Sequence, residues 1–347
     1  MQSSVAVVIV GYRNAGDIAE CLRALAALAP EPSFEVFIAE NGAKEGMDDL
    51  LRVLDAGDSA WRGSDEARPP VLPAGALRHR DYRLVRRDGA NGAPVHVAEM
   101  IENLGYAGGV NAWLRPLLEV SGWDAAWILN PDTRPAPAAL AELAAAANAR
   151  DKGMVGSCIT DTHANGRVST RGLRWSNFAG RPEAIGHGEP VGLTPAPEEI
   201  ERRLTSPSGA SVYVTRDLLG IIGLMDERYF LYVEDLEWGD RASRIGKVGY
   251  AHRSRVPHVG GTTIGGSGAL AGRSRLSVYL TARNLVLFVR DRHPAWLPWV
   301  LGMQTLHIAR YGAAGAFANV AAGLEGLVAG LKGERGRPEV YMRKHRR

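Results

Sequence analysis

An α/β fold built on an open, doubly wound, mostly parallel sheet is what this sequence predicts, and three observations carry it. The first is "SVAVVIVGY" (residues 4–12), a continuous apolar, β-branched run of the kind buried on both faces of a parallel sheet. The second is alternation: such runs take turns with stretches whose apolar residues recur at helical spacing. The third is how the runs end. "RNAGD", "ENG", "ENLGYAGG" and "NPDT" are polar or glycine-rich, as ligand loops are at the carboxyl ends of strands in such sheets.

Taken in order, the first strand gives way to a helix marked by Ile18, Cys21, Leu22, Leu25 and Leu28. "FEVFIAENG" is a second strand, closed by Asn-Gly, and "PVHVAEM" a third. After "ENLGYAGGVN" a helix is predicted from about Val110. "AAWILN" is a fourth strand, and "PAPAALAELAAAANAR" a helix with prolines in its opening turn. Between Asp55 and Pro94 the pattern lapses for longer than a structureless connection usually runs, which predicts a mobile surface insertion. Residues 225–251, "MDERYFLYVEDLEWGDRASRIGKVGYA", predict a helix that starts at Glu234 and Asp235 and stops at Gly246. Glu237–Arg241 and Asp240–Arg244 are i,i+4 pairs along it. "SRVPHVGGTTIGGSG" reads as a short strand ending at His258, then a glycine-rich loop able to close over a ligand. "SRLSVYLTARNLVLFVRDRHP" predicts a helix with Tyr279, Arg283 and Asn284 on or near one face.

Composition bounds the function. A chain of 347 residues with 46% hydrophobic and 23% charged residues is globular and holds one large domain or two moderate ones. A net charge of +3 excludes a basic protein built for nucleic acid. The excess sits in "LKGERGRPEVYMRKHRR", where seven Lys/Arg face two Glu. Two cysteines, Cys21 and Cys158, argue against a disulfide framework and for a reducing compartment. No signal-peptide pattern and no apolar run of transmembrane length is present, so a soluble, cytoplasmic chain is expected.

Three constellations carry candidate chemistry. In "ILNPDT", Asp132 follows a strand and Pro131 fixes its backbone, so the carboxylate loses little freedom on binding a ligand. An alternative is that Asp132 or Thr133 caps the following alanine-rich helix. Glu234 and Asp235 are adjacent acids at a helix start, behind an apparent aromatic wall of Tyr229, Phe230 and Tyr232. They suit either the helix dipole or a division of labour in which one accepts a proton and the other tunes it. His258, after a separate strand, could join a carboxylate in a Mg²⁺ or Mn²⁺ site shared with phosphate oxygens.

The ordered set "VVIVGYRN", "AENG", "ENLGYAGGVN", "ILNPDT", "SGASVYVTRDLLGIIGLMDERYFLYVEDLEWGDRASRIG" and "PHVGG" resembles the family 2 glycosyltransferases, in particular the rhamnosyltransferase-like branch that builds bacterial cell-envelope polysaccharides. The resemblance covers roughly residues 4–290. It implies a GT-A fold, a nucleoside-diphosphate-sugar donor, a divalent metal, Mg²⁺ or Mn²⁺, and inversion at the anomeric carbon. By position, Asp132 matches the final acid of the family's Asp-x-Asp metal motif, with Asn130 where its first acid stands. His258 matches the later metal or diphosphate ligand. Asp235 matches the catalytic base, with Glu234 beside it. Glu40 replaces the Asp that contacts the pyrimidine. Tyr12, Asn103, Gly105, Gly108 and Asn111 match nucleotide-cradling positions, and Arg283 is a candidate for the diphosphate.

The resulting division is a GT-A nucleotide-sugar domain over residues 1–270, interrupted at about 55–94, and a C-terminal helical extension over 271–347. The branch favours dTDP-L-rhamnose as donor and a glycan or lipid-linked acceptor. Two other readings stand beside transfer. A nucleotidyltransferase would share the sheet but wants a Gly-rich, Arg/Lys-bearing loop where "GYRNAGD" stands. A non-catalytic sugar-nucleotide or glycan binder would keep the fold without the base. The apolar stretch from Ala295 to Leu331, followed by the basic tail, fits core packing, a homodimer contact, or peripheral attachment to an anionic membrane on its cytoplasmic face.

Overall fold

The computed structural model describes residues 4–66, 68–86, 88–162, 166–259 and 272–344. The glycine-rich run after Val259, expected to close over a ligand, lies outside these residues, as does the end of the basic tail.

The central strand is β1 (Ser4–Gly11), and α1 (Ala15–Ala26) returns the chain to β2 (Ser33–Glu40), parallel to β1 with Gly11 opposite Glu40. Side chains alternate across β1, yet both sets are buried. Val5, Val7 and Ile9 pack with Ile18, Leu22 and Leu25 of α1, whereas Ala6, Val8 and Val10 face the opposite layer. Hence the uninterrupted apolar run.

α2 (Ala43–Asp55) leads into β3 (Trp61–Gly63), β4 (Ala76–Val85) and β5 (Asn91–Met100). β5 contains the third strand expected from "PVHVAEM" and pairs parallel with β2, whereas β4 and β3, which add antiparallel strands beyond it, correct the expected insertion. Trp61 and Tyr82 are buried there, and the Tyr82 hydroxyl donates to Asp55 Oδ1 at 2.7 Å. The sequence of β4, "ALRHRDYRLV", conceals it, since a charged strand near a sheet edge resembles a loop while discouraging edge-to-edge pairing.

α3 (Gly105–Leu118), β6 (Ala125–Leu129), α4 (Ala139–Ala149) and β7 (Met154–Asp161) follow. α3 begins at Gly105 rather than near Val110, because its glycines, poor helix formers in isolation, buy close packing. A Cβ on Gly105, whose φ is +73°, would lie 2.1 Å from the Phe230 carbonyl oxygen, which itself accepts from Tyr106 N at 2.7 Å. Gly105→Ala therefore combines a left-handed backbone with a clash against main chain. It should cost about 2–5 kcal/mol in urea unfolding; a loss within about 0.5 kcal/mol would show that the two segments part freely. α4 starts later than expected, at Ala139, with Pro135 and Pro137 ahead of it.

β8 (Val168–Thr170) pairs with β7, β9 (Leu173–Ser176) and β10 (Arg181–Ala184) form a hairpin, and α5 (Pro197–Glu201) precedes β11 (Ser211–Thr215). β11 runs antiparallel between β6 and β7. α6 (Arg216–Ile222) and α7 (Glu234–Ser243) lead to β12 (Val248–His258), parallel to β7. The sheet order is β12-β7-β11-β6-β1-β2-β5-β4-β3 with β8 on β7. Its centre is parallel as predicted, but β11 and the β3–β5 edge make the sheet mixed.

The chain ends in α8 (Arg275–Arg292), α9 (Leu297–Ala313), α10 (Phe317–Lys332) and α11 (Glu339–Lys344). α10 lies so close to α8 that a Cβ on Gly326 would come within 2.3 Å of the Tyr279 carbonyl oxygen. Among the described residues no helix is long and apolar enough to cross a membrane.

Candidate active site

The ends of β6, β11 and β12 meet the start of α7 around one cavity of ≈ 180 Å³, lined by Asn130, Asp132, His258, Glu234 and Asp235 together with Tyr106, Gly209 and Tyr232. Pockets that enclose a whole drug-sized ligand run to about 300–1,000 Å³, so this one holds only part of a larger substrate.

Asp132 is placed by a turn and by β12. Thr133 closes the turn, its hydroxyl donating to the Asn130 carbonyl at 2.6 Å. Arg134 N donates to Pro257 O at 2.8 Å and Val259 N to Asp132 O at 2.9 Å, which fastens the end of β12 alongside. Asp132 Oδ1 and His258 Nε2 are 3.0 Å apart. Burial opposes the charge on Asp132, but the hydrogen bond and charge of His258 outweigh it and hold the carboxyl below its ordinary value. The helix-cap alternative fails: the cap position of α4 is Ala138, with no side-chain cap bond. Asn130 Oδ1 is buried without a partner among the described residues.

The acid pair sits behind strained backbone. Phe230, Tyr232 and Val233 all have positive φ, at 66°, 71° and 75°, which costs roughly 1–3 kcal/mol each. α8 clamps this loop: Asn284 Nδ2 donates to the carbonyls of Tyr229, Leu231 and Tyr232 at 2.8–2.9 Å. Asp235 Oδ2 accepts from Gly209 N at 3.0 Å and Oδ1 from Leu236 N at 2.8 Å. Burial raises the Asp235 carboxyl while those amides favour its anion. Glu234 has less support, from its own main-chain amide alone. Its Oε2 is buried and unpartnered, and burial together with the charge of Asp235 pushes its carboxyl up to about 8.

The remaining expected site residues divide. Tyr12, 54% exposed, and Glu40, fully buried, sit at the ends of the neighbouring strands β1 and β2, outside the cavity. Glu40 Oε1 accepts from Arg13 N at 3.0 Å and Gly42 N at 2.7 Å, Oε2 is unpartnered, and burial raises the carboxyl. Asn103 Oδ1 accepts from Gly105 N at 2.9 Å, and Gly108 packs against Leu104, so both shape the start of α3.

Two assignments need correction. Asn111 spends its amide on the main chain of Met225 and on Glu227 Oε1. Arg283 is 1% exposed, and its guanidinium donates to Gly336 O, Tyr229 O and Asn284 Oδ1. Neither side chain is free to hold a nucleotide. The aromatic wall also shrinks: Tyr232 lines the cavity, but Tyr229 and Phe230 are buried in the core. Conversely, sequence reasoning assigned no role to Gly209 or Asn284, which position the acid pair; "SGAS" was visible as a motif, but only the fold brings Gly209 N to Asp235.

No family model matches the chain. Over 218 residues it is 29% identical to the N-acetylglucosaminyl-diphospho-decaprenol L-rhamnosyltransferase of Mycobacterium tuberculosis, a stretch covering 57% of this chain and 69% of that protein. In three dimensions it is similar to mannosyltransferase PcManGT from Pyrobaculum calidifontis in complex with GDP-Man and Mn²⁺ (TM-score 0.50, 13% identity, 94% of this chain and 86% of that one). It is likewise similar to GalNAc-T7 with UDP, GalNAc and Mn²⁺ (TM-score 0.50, 15% identity, 83% of this chain and 48% of that one, so it spans about half that chain's length). The fold is that of the GT-A glycosyltransferases. In sequence the chain is a distant homologue of the mycobacterial L-rhamnosyltransferase.

Proposed function

We propose that the protein transfers a sugar, with inversion, from a nucleoside-diphosphate donor to a hydroxyl of a glycan or lipid-linked acceptor, L-rhamnose from dTDP-L-rhamnose being the first donor to try. The observation that carries this reading is a single cavity shared by a buried acid pair and the Asp132–His258 pair. The choice of rhamnose rests on the 29% identical relative alone.

Asp235 is the base. Its two amide contacts keep an anion available inside a buried site, and it takes the acceptor's proton as the hydroxyl oxygen bonds to the anomeric carbon and the bond to the diphosphate breaks. Single displacement needs no enzyme nucleophile. Glu234, protonated near neutral pH, leaves Asp235 the only charge of the pair. Tyr12 and Glu40 at the neighbouring strand ends take the nucleoside, which the small cavity excludes.

Mg²⁺ or Mn²⁺ fits the remaining groups. Among the described residues no three His, Cys, Asp or Glu side chains form a metal cluster, but Asp132, His258 and the unpartnered Asn130 Oδ1 form a small oxygen and nitrogen set that diphosphate oxygens would complete. When bound, the ion supplies Lewis acidity for the leaving diphosphate.

The test is a panel of nucleotide sugars with Mn²⁺ or Mg²⁺ and a hydroxyl acceptor, followed by mass spectrometry. Transfer releases a nucleoside diphosphate with the sugar on the acceptor. Pyrophosphate formed from a sugar phosphate and a nucleoside triphosphate would mean a nucleotidyltransferase. Binding without turnover across the panel would mean a sugar-nucleotide binder.

A further inference from the structure

The antiparallel hairpin of α9 and α10 turns an apolar face outward. On α10, Phe317, Leu324, Val328 and Leu331 recur at heptad spacing and so form one stripe, and on α9 Trp299 and Leu306 are exposed as well; all six are 45–73% exposed. These residues do not pack in the core; the other face of the hairpin does, through Ile308, Tyr311, Ala322 and Leu327, so core packing accounts for one face and leaves this one open. Isolated exposed leucines are ordinary, but a contiguous apolar patch marks a docking surface. Exposed charged residues between 294 and 332 are Arg310 and Lys332, both basic, while Glu325 is half-buried.

We infer that this face docks on an anionic lipid surface. Charge decides between lipid and a second copy of the chain. Two copies meeting through this face would bring together surfaces whose exposed charges are all positive, whereas anionic headgroups complement them as the aliphatic and aromatic side chains enter the interfacial layer. The patch also leads to the candidate active site. Trp299 Nε1 donates to Phe178 O at 2.9 Å, and the two rings lie 5.6 Å apart, with Phe178 itself 73% exposed at the turn between β9 and β10. β9 begins at Leu173, which lines the cavity. Phe178 is five residues from Leu173 and so lies within about 17 Å of it, the span of that many residues fully extended, so a lipid-linked acceptor could keep its chain at the docked face and present a hydroxyl in the cavity. The docking face stands on the surface alone; only this acceptor link rests on the transferase reading.

The experiment is co-sedimentation of the full chain with vesicles of phosphatidylcholine, with or without about one-third phosphatidylglycerol. The expected result is binding that requires the anionic lipid, weakens with salt, and falls about tenfold or more in Leu324→Glu/Val328→Glu. Both positions are exposed, so the melting temperature should hold; should that variant misfold, Phe317→Ser, at a more exposed site, replaces it. The proposal is overturned if the parent ignores anionic vesicles, or if the glutamate variant binds them equally. It is also overturned if light scattering shows a lipid-free dimer that these glutamates dissociate, since the occupant is then a second copy. Donor turnover on a soluble acceptor, measured in parallel, separates failure of docking from failure of the transferase reading.

Discussion

Asp235→Asn should lower sugar transfer by about 10²–10⁴-fold, the usual cost of losing a general base, while nucleotide affinity stays near that of the parent. Asparagine keeps the size of the side chain but cannot take a proton at neutral pH. It can accept only one of the two amides, from Gly209 and Leu236, that the carboxylate now holds. A melting curve must therefore accompany the rates, with a loss of about 1 kcal/mol tolerated. Glu234→Gln should slow transfer less, because Glu234 already carries a proton near neutral pH. Transfer by the parent should rise with pH as the pair loses its protons, and that limb belongs to both acids together. Near-parental transfer by Asp235→Asn beside a dead Glu234→Gln would move the base by one residue; full activity in both would leave the acids as helix-dipole partners only.

The same pair makes a stability statement independent of turnover. A carboxyl whose folded pKa lies above its unfolded value binds its proton more tightly in the folded state. Stability from Glu234 is thus greatest in acid and declines as pH rises from the ordinary glutamate range towards about 8. Glu234→Gln removes that decline, so its melting temperature should gain on the parent's as the pH is raised through this window.

How far the sequence could be read follows from what each segment buries. β1 and β6 are covered on both faces and therefore show as pure apolar runs, and the start of α7 showed in its adjacent acids. β4 was hidden because its arginines face solvent near the sheet edge, where apolar periodicity carries little information. The start of α3 was hidden because Gly105 and Gly109 answer to Phe230 and Val10, residues distant in the chain. The site divides along the same line. Asp132, His258, Glu234 and Asp235 stand at the ends of recognisable elements, and the fold gathers them at one cavity. Arg283 and Asn111 looked equally polar in sequence, but polarity alone does not reveal that a side chain is already spent on carbonyls that no local pattern announces. The strained loop at 230–233 explains that use of Arg283 and Asn284: backbone held at positive φ needs donors to keep it there, and α8 supplies them.

Asp132→Asn should remove the dependence of nucleoside-diphosphate binding on Mn²⁺ while leaving the fold intact. The amide can still meet His258 Nε2, now 3.0 Å from Asp132 Oδ1, so the buried imidazole keeps a partner. Asp132→Ala is the cruder variant, because it strands that ring at a cost of about 1–3 kcal/mol. What asparagine removes is the negative charge, and with Asn130 already neutral the proposed set of Asp132, His258 and Asn130 would then carry none. Changes to outer-shell partners alone cost metal sites about 10–100-fold in affinity, so losing this charge should cost at least that much. Calorimetric titration of dTDP and UDP, with and without Mn²⁺, reads the effect without turnover. The parent should bind more tightly with the ion, and Asp132→Asn should bind alike in both conditions. If Mn²⁺ strengthens binding equally in parent and variant, the carboxylate is not a ligand. Asp132 would then serve to hold His258 and the end of β12 in place, and Asp132→Ala should lose thermal stability without losing its response to the ion.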